Sequence, residues 1–119
     1  MIITAKNFKA IWIYGDDDMK RNALCKKLTN ELKYNCVTFV YHNYEYLKKH
    51  FTTCADKETS IASYLSAFID SGVNSHIVIN AKISNENIFD TYNNINFVEV
   101  NEYDDIEEKA YNIVDNILI

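Results

Sequence analysis

Gly15-Asp16-Asp17-Asp18, followed by Lys20-Arg21-Asn22, is the stretch of this chain richest in groups that do chemistry. Four apolar residues, Ile11 to Tyr14, run into the glycine, and a helical pattern begins behind the carboxylates. A strand that turns through glycine into a helix N-terminus presents backbone amides and the positive end of a dipole, an arrangement that binds phosphate. Here the turn carries three carboxylates instead. Two like charges about 5 Å apart at an effective dielectric of about 20 repel by roughly 3 kcal/mol, over a hundredfold in affinity. Two uses fit acids at this place. Asp is a preferred helix cap, and first-turn carboxylates gain ~0.3–1 kcal/mol each from the dipole. Alternatively, Asp16 and Asp17 form a cation site.

Other residues offer less. Tyr41, Tyr44 and Tyr46 fit stacking on a base or a partner as well as half-burial against helices. Lys82, Ser84 and Asn85 are a small set of anion-binding types. Cys25, Cys36 and Cys54 are odd in number and match no zinc spacing, and His42, His50 and His76 are scattered. The pairs Lys26-Lys27 and Lys48-Lys49 read as solvated helix faces. No Ser/His/Asp or Cys/His set is singled out by spacing, so no catalytic residue is assigned.

The elements that position these groups follow from periodicity. Strands are predicted over 10–14, 36–41, 76–83 and 95–100, from short β-branched and aromatic runs. Helices are predicted over 18–34 (Leu24, Leu28, Leu32), 44–51, 60–71 (Ile61, Tyr64, Leu65, Phe68, Ile69), 85–92 and 104–117. A polar loop is expected over 52–58, and Gly72 stands where a helix C-cap belongs. Strands alternating with helices predict a three-layer α/β/α sandwich around a short, mostly parallel sheet of four to five strands. Its ligand edge lies at the C-terminal ends of the strands.

Composition bounds the rest. The chain has 119 residues, 48% hydrophobic and 24% charged, which suits one globular domain over 1–119. A formal charge of −5 and a pI near 5.1 exclude a broad nucleic-acid footprint. No apolar run has the length of a membrane span and no basic-then-apolar leader opens the chain, so a cytoplasmic location is expected.

The apolar-Trp-apolar run into Gly15 resembles the opening of the adenylylsulfate kinases, a P-loop kinase family whose first strand runs apolar-Trp-apolar-Thr-Gly. Asp70-Ser-Gly-Val73 and Ala81-Lys-Ile-Ser84 are similar to that family's Asp-Ala-Gly-Val and Ala-Phe-Ile-Ser, and Phe97-Val-Glu-Val100 to its Phe-Ile-Glu-Val. The resemblance implies a P-loop NTPase-like fold and, in the family, ATP with Mg²⁺ as cofactors. It also implies a phosphate loop of the form Gly-x-x-x-x-Gly-Lys-Ser/Thr. Counted from Gly15, the second glycine falls on Lys20, the lysine on Arg21 and the hydroxyl residue on Asn22. A side chain at Lys20 hinders the close approach of amides to phosphate, Arg21 is no geometric replacement for lysine, and Asn22 cannot take the hydroxyl's place on Mg²⁺. Where the family carries Asp-Gly-Asp after strand two, this chain has Tyr41-His-Asn-Tyr44, and its final helix follows too soon for an arginine-bearing lid.

The expectation is therefore a lidless, degenerate P-loop-kinase-like domain, catalytically inactive, without a cofactor, acting by protein binding or self-association. One alternative is a divergent adenylylsulfate or other small-molecule kinase with weak ATP binding through Gly15, Lys20, Arg21 and Asn22. Another is a degenerate receiver-like signalling domain, since receivers carry an acidic Mg²⁺-binding pair after strand one, where Asp16 and Asp17 stand. Residues 77–117 resemble a receiver's last two strand–helix units. Against it, Asp56 lies in a polar stretch that does not read as the phosphoacceptor strand.

Overall fold

The structure, a computed structural model, describes residues 10–35, 38–43, 49, 57–72 and 75–117. Its centre is β1 (Ala10–Tyr14), whose Ala10 pairs with Ile77 on one side and Ile95 on the other. Side chains on a strand alternate between faces. Ile11 and Ile13 join Leu24, Leu28 and Leu32 of α1 (Asp18–Tyr34) and Ala110, Ile113 and Val114 of α4 (Ile106–Ile117) in one core. Ala10 and Trp12 join Ile61, Ala62 and Leu65 of α2 (Lys57–Asp70) and Ile88 of α3 (Ile88–Thr91) in another. Burial on both faces is why β1 reads as an unbroken apolar run. Trp12, fully buried, donates its Nε1 hydrogen to the Ala81 carbonyl at 3.0 Å.

With β2 (Phe39–Asn43), β3 (His76–Asn80) and β4 (Ile95–Glu99), the sheet has the order β2-β3-β1-β4, and every pairing is parallel. The expected three-layer α/β/α sandwich is what forms, with four strands among the described residues. α1 matches its predicted bounds, and Gly72, at φ +85°, ends α2 by donating its N–H to the Ile69 carbonyl.

Several boundaries differ, each for a tertiary reason. β2 covers 39–43 instead of 36–41 because its register on β3, from Phe39↔His76 to Asn43↔Asn80, sets its limits; residues 36 and 37 lie outside those described. An edge strand of half-exposed residues leaves no sharp apolar signal. β3 stops at Asn80, not 83, since the next carbonyl is taken by the Trp12 indole. α2 begins at Lys57, inside the expected polar loop, because its first-turn Glu58 is anchored by the segment after β3. The helix over 85–92 is a single turn, Ile88–Thr91. β4 ends at Glu99, one residue short of its predicted limit. α4 starts at Ile106 instead of 104, with the Asp105 carboxylate accepting the Glu108 N–H at 3.1 Å as its cap. The expected helix over 44–51 lies outside the described residues apart from residue 49, as does the expected loop over 52–56.

Candidate functional site

In an open parallel sheet, ligands bind at the C-terminal edge where successive connections leave in opposite directions. That point lies between β1 and β3, since β1 leads outward to β2 while β3 leads back across β1 to β4. Gly15 follows the last residue of β1 there, and Asn80 ends β3.

The turn after β1 is short. Helix α1 begins at Asp18, and Asp17 is its N-cap, with the Asp17 carboxylate accepting the Lys20 N–H at 3.0 Å and its carbonyl accepting the Arg21 N–H at 3.0 Å. Lys20, Arg21 and Asn22 therefore stand in the first turns of a helix, with the Lys20 and Arg21 backbone amides engaged by Asp17. The Lys20 side chain donates to the Asp104 carbonyl at 3.2 Å. Replacing this cap, Asp17→Ala, should cost about 1 kcal/mol in urea unfolding, whereas exposed Asp16→Ala should stay within about 0.5 kcal/mol. Equal costs would contradict the assignment of the cap to Asp17.

Arg21 fills the centre of the edge. Its Nε donates to Asn80 Oδ1 at 2.6 Å, its Nη1 to the Gly15 carbonyl at 2.8 Å, and its Nη2 pairs with Asp18 Oδ1 at 2.8 Å. The side chain is only 11% exposed. Asn80, itself buried, spends its two amide hydrogens on Asn22 Oδ1 (2.7 Å) and the Tyr41 hydroxyl (3.0 Å). Burial raises the Tyr41 hydroxyl above its ordinary range, with the Asn80 hydrogen bond acting the other way. Burial likewise pushes the Cys25 thiol up to about 12, opposed by the Arg21 charge, so this cysteine is no nucleophile at neutral pH. Lys82 Nζ approaches Asp18 Oδ1 to 3.9 Å.

The structure thus gathers Gly15, Arg21 and Asn22, and it adds Asn80, which the sequence reading did not single out. Its signal was there: an amide directly behind the apolar run Ile77-Val78-Ile79, at the end facing the ligand edge. Of the tyrosines, Tyr41 joins this network at 39% exposure, and Tyr44 and Tyr46 lie outside the described residues.

The anion-binding types after β3 are also taken up. Glu58 Oε1 accepts the Ser84 N–H (2.7 Å) and hydroxyl (3.0 Å), and Oε2 accepts the Asn85 N–H (2.7 Å). Two adjacent backbone amides and a hydroxyl make a nest for an anion, and a buried carboxylate from α2 sits in it. Neither sequence spacing nor periodicity pointed to Glu58.

On the other side of the turn, Asp16, Asp17, Glu99 and Glu102 line an open cleft of about 400 Å³ with Gly15, Val100 and Asn101. Among the described residues no group of three or more His, Cys, Asp or Glu side chains is placed to hold a metal ion.

No family model matches the chain, and no curated protein matches it. Solved structures do. The chain is similar to the Mycobacterium tuberculosis APS kinase CysC, solved as a cysteine-to-alanine mutant, with a TM-score of 0.63 and 11% identity over 92% of this chain and 96% of that one. It is also similar to a protein solved under the name APE1195, with a TM-score of 0.60 and 5% identity over 94% of this chain and 72% of that one. At such identities the likeness establishes architecture alone: a parallel α/β sandwich like that of these structures.

Proposed function

We propose that this domain is a P-loop-kinase-like scaffold that transfers no phosphoryl group and works by binding, to a protein partner or to a second copy of itself. The observation that supports this reading most is the position of Arg21. Three donors of its guanidinium are committed to Asn80, Gly15 and Asp18 at the point where a phosphate would need them. Phosphoryl transfer relies on positioning and charge neutralisation of the phosphates. The groups present do not fit ATP with Mg²⁺, because the turn is closed by the Asp17 cap and Asn22 Oδ1 is occupied by Asn80. Exposed Met19 on α1 and Tyr103 in the loop after β4 are apolar groups of the kind partner surfaces use.

Thermal unfolding with ATP and with adenylylsulfate, each with and without Mg²⁺, and with Mg²⁺ alone, tests the reading. A ligand at a hundred times its dissociation constant stabilises by ~2.7 kcal/mol, a shift of roughly 10 °C for a domain of this size. The expected result is no shift in any arm. A nucleotide-dependent shift would return the site to kinase chemistry, and a shift with Mg²⁺ alone would favour a receiver-like cation site. Sedimentation across a concentration series then separates self-association from capture of a different partner.

A further inference from the structure

β4 is an outermost strand, paired with β1 on one side and, among the described residues, with no strand on the other. The Val100 N–H donates to the Tyr14 carbonyl, so Asn96 and Val98, of the same parity, direct their backbone groups to β1. Successive residues of a strand alternate, and the N–H and C=O of Phe97 and Glu99 therefore point outward. Natural sheet edges are blunted by proline, lysine or a bulge. Ile95–Glu99 contains neither residue, and its register on β1 is unbroken from Ala10↔Ile95 to Tyr14↔Glu99.

An open groove of about 390 Å³ lies beside this edge, with Asn96 and Val98 on one side and Glu108, Asn112 and Asn116 of α4 on the other. The opposite side of α4 faces α1, through the Lys27–Glu107 ion pair at 3.9 Å and the shared core of Ala110 and Val114, so the groove opens toward the free edge. Its charge is one-sided. Lys109 is held by Asp104 at 3.0 Å, which leaves Asp105 and Glu108 unbalanced in the groove, with Glu99 and Glu102 at the end of the strand.

We propose that β4 takes up an extended, lysine- or arginine-bearing segment of a partner protein as an added strand, with the basic side chains lying in the groove. The strand edge supplies main-chain hydrogen bonds and the groove selects alternate side chains, which is how strand addition combines affinity with specificity. The intervening side chains of the added strand fall on the face of Phe97, which packs on Trp12 at 5.7 Å and Phe89 at 5.1 Å, so an apolar residue suits that position. Two copies of this chain joined edge to edge through β4 would set Glu99, Asp105 and Glu108 near their own duplicates. Like charges across an interface suppress that pairing, and the edge selects a basic partner over the chain itself. The inference rests on the reading that this domain works by binding, and it names the surface and the chemistry of the partner.

The probe is the end-blocked, fluorescently labelled peptide Lys-Thr-Lys-Val-Lys-Thr-Lys, titrated against the full chain by anisotropy, with amide hydrogen exchange as the second readout. Its counterparts carry Glu in place of every Lys, or backbone N-methyl groups on either the lysines or the residues between them. Binding of the lysine peptide should slow exchange at Phe97 and Glu99, and the glutamate peptide should not bind. Proline is tolerated where an edge N–H faces outward, so Glu99→Pro should fold and bind about fivefold more weakly than the charge control Glu99→Gln. Glu108→Lys should weaken the lysine peptide by about fivefold and improve the glutamate one. Only alternate amides of an added strand face β4, so one N-methylated peptide should lose binding and the other keep it. The proposal fails if the glutamate peptide binds as well as the lysine one, if Glu99→Pro matches Glu99→Gln, or if the two N-methylated peptides behave alike. It is also overturned if the chain dimerises in sedimentation with Phe97 and Glu99 protected in the absence of peptide, since the edge then belongs to a second copy. A nucleotide-dependent thermal shift would instead sink the functional reading above and leave the peptide result standing, so the two failures are distinguishable.

Discussion

Gly15→Ala is expected to lose about 2–6 kcal/mol of folding stability, the sum of backbone strain and overpacking at roughly 1–3 kcal/mol each. Gly15 has φ +140°, a conformation side chains rarely adopt, and a Cβ built on it would lie 2.1 Å from the Val100 carbonyl oxygen. That oxygen is backbone and cannot swing aside. The Val100 N–H donates to the Tyr14 carbonyl at 2.9 Å, tying the strand end to the same spot, so relief requires β4 to shift against β1. Gly72 provides the control. Its φ is +85° and a Cβ would meet nothing within 4 Å, so Gly72→Ala should cost about 1 kcal/mol. Urea unfolding of both variants decides the matter. A glycine kept only for approach to a ligand would lose little stability on substitution; equal losses at the two positions would refute the close contact with β4.

Glu58→Ala is expected to cost about 3 kcal/mol or more, and Glu58→Gln about 2 kcal/mol. Hydrogen bonds to a charged group are worth about 1.5–3 kcal/mol, and leaving a buried donor unpaired costs a comparable amount. The carboxylate accepts two backbone N–H groups and a hydroxyl within 3.0 Å while only 7% exposed. Glutamine keeps one acceptor oxygen but turns an amide donor toward a backbone N–H. Because these bonds join α2 to the segment after β3, both variants should also speed amide exchange around 84–85. Two variants as stable as the wild type would mean that the nest is filled by some other group.

Both effects concern groups that bear on the site, and they differ in how far they were legible beforehand. Gly15 was marked by its place between an apolar strand and a helix start, one of two glycines in a chain without proline. Asp17 was legible as part of an acidic helix start, because capping acts between residues three apart. The leucines of α1 announced their burial by recurring every four positions. Glu58 was invisible, since its partners are 26 and 27 residues away and belong to an element with no periodicity. The same holds for Arg21, whose Nε partner Asn80 is 59 residues distant. Sequence counting placed Arg21 where a phosphate-binding lysine would stand; the fold surrounds it with its own acceptors.

What the sequence determined by itself is what local rules control: the alternation of strands and helices, the buried β1, the capped start of α1 and the glycine-terminated α2. These depend on side-chain period, caps and backbone freedom, which act within a few residues. Tertiary structure alone decided the strand order β2-β3-β1-β4, the limits of the edge strand β2, and the partners of every charge at the ligand edge. The reason is physical. A charge is satisfied by whatever the packed layers bring within about 3–4 Å, and that distance is set by the docking of whole elements.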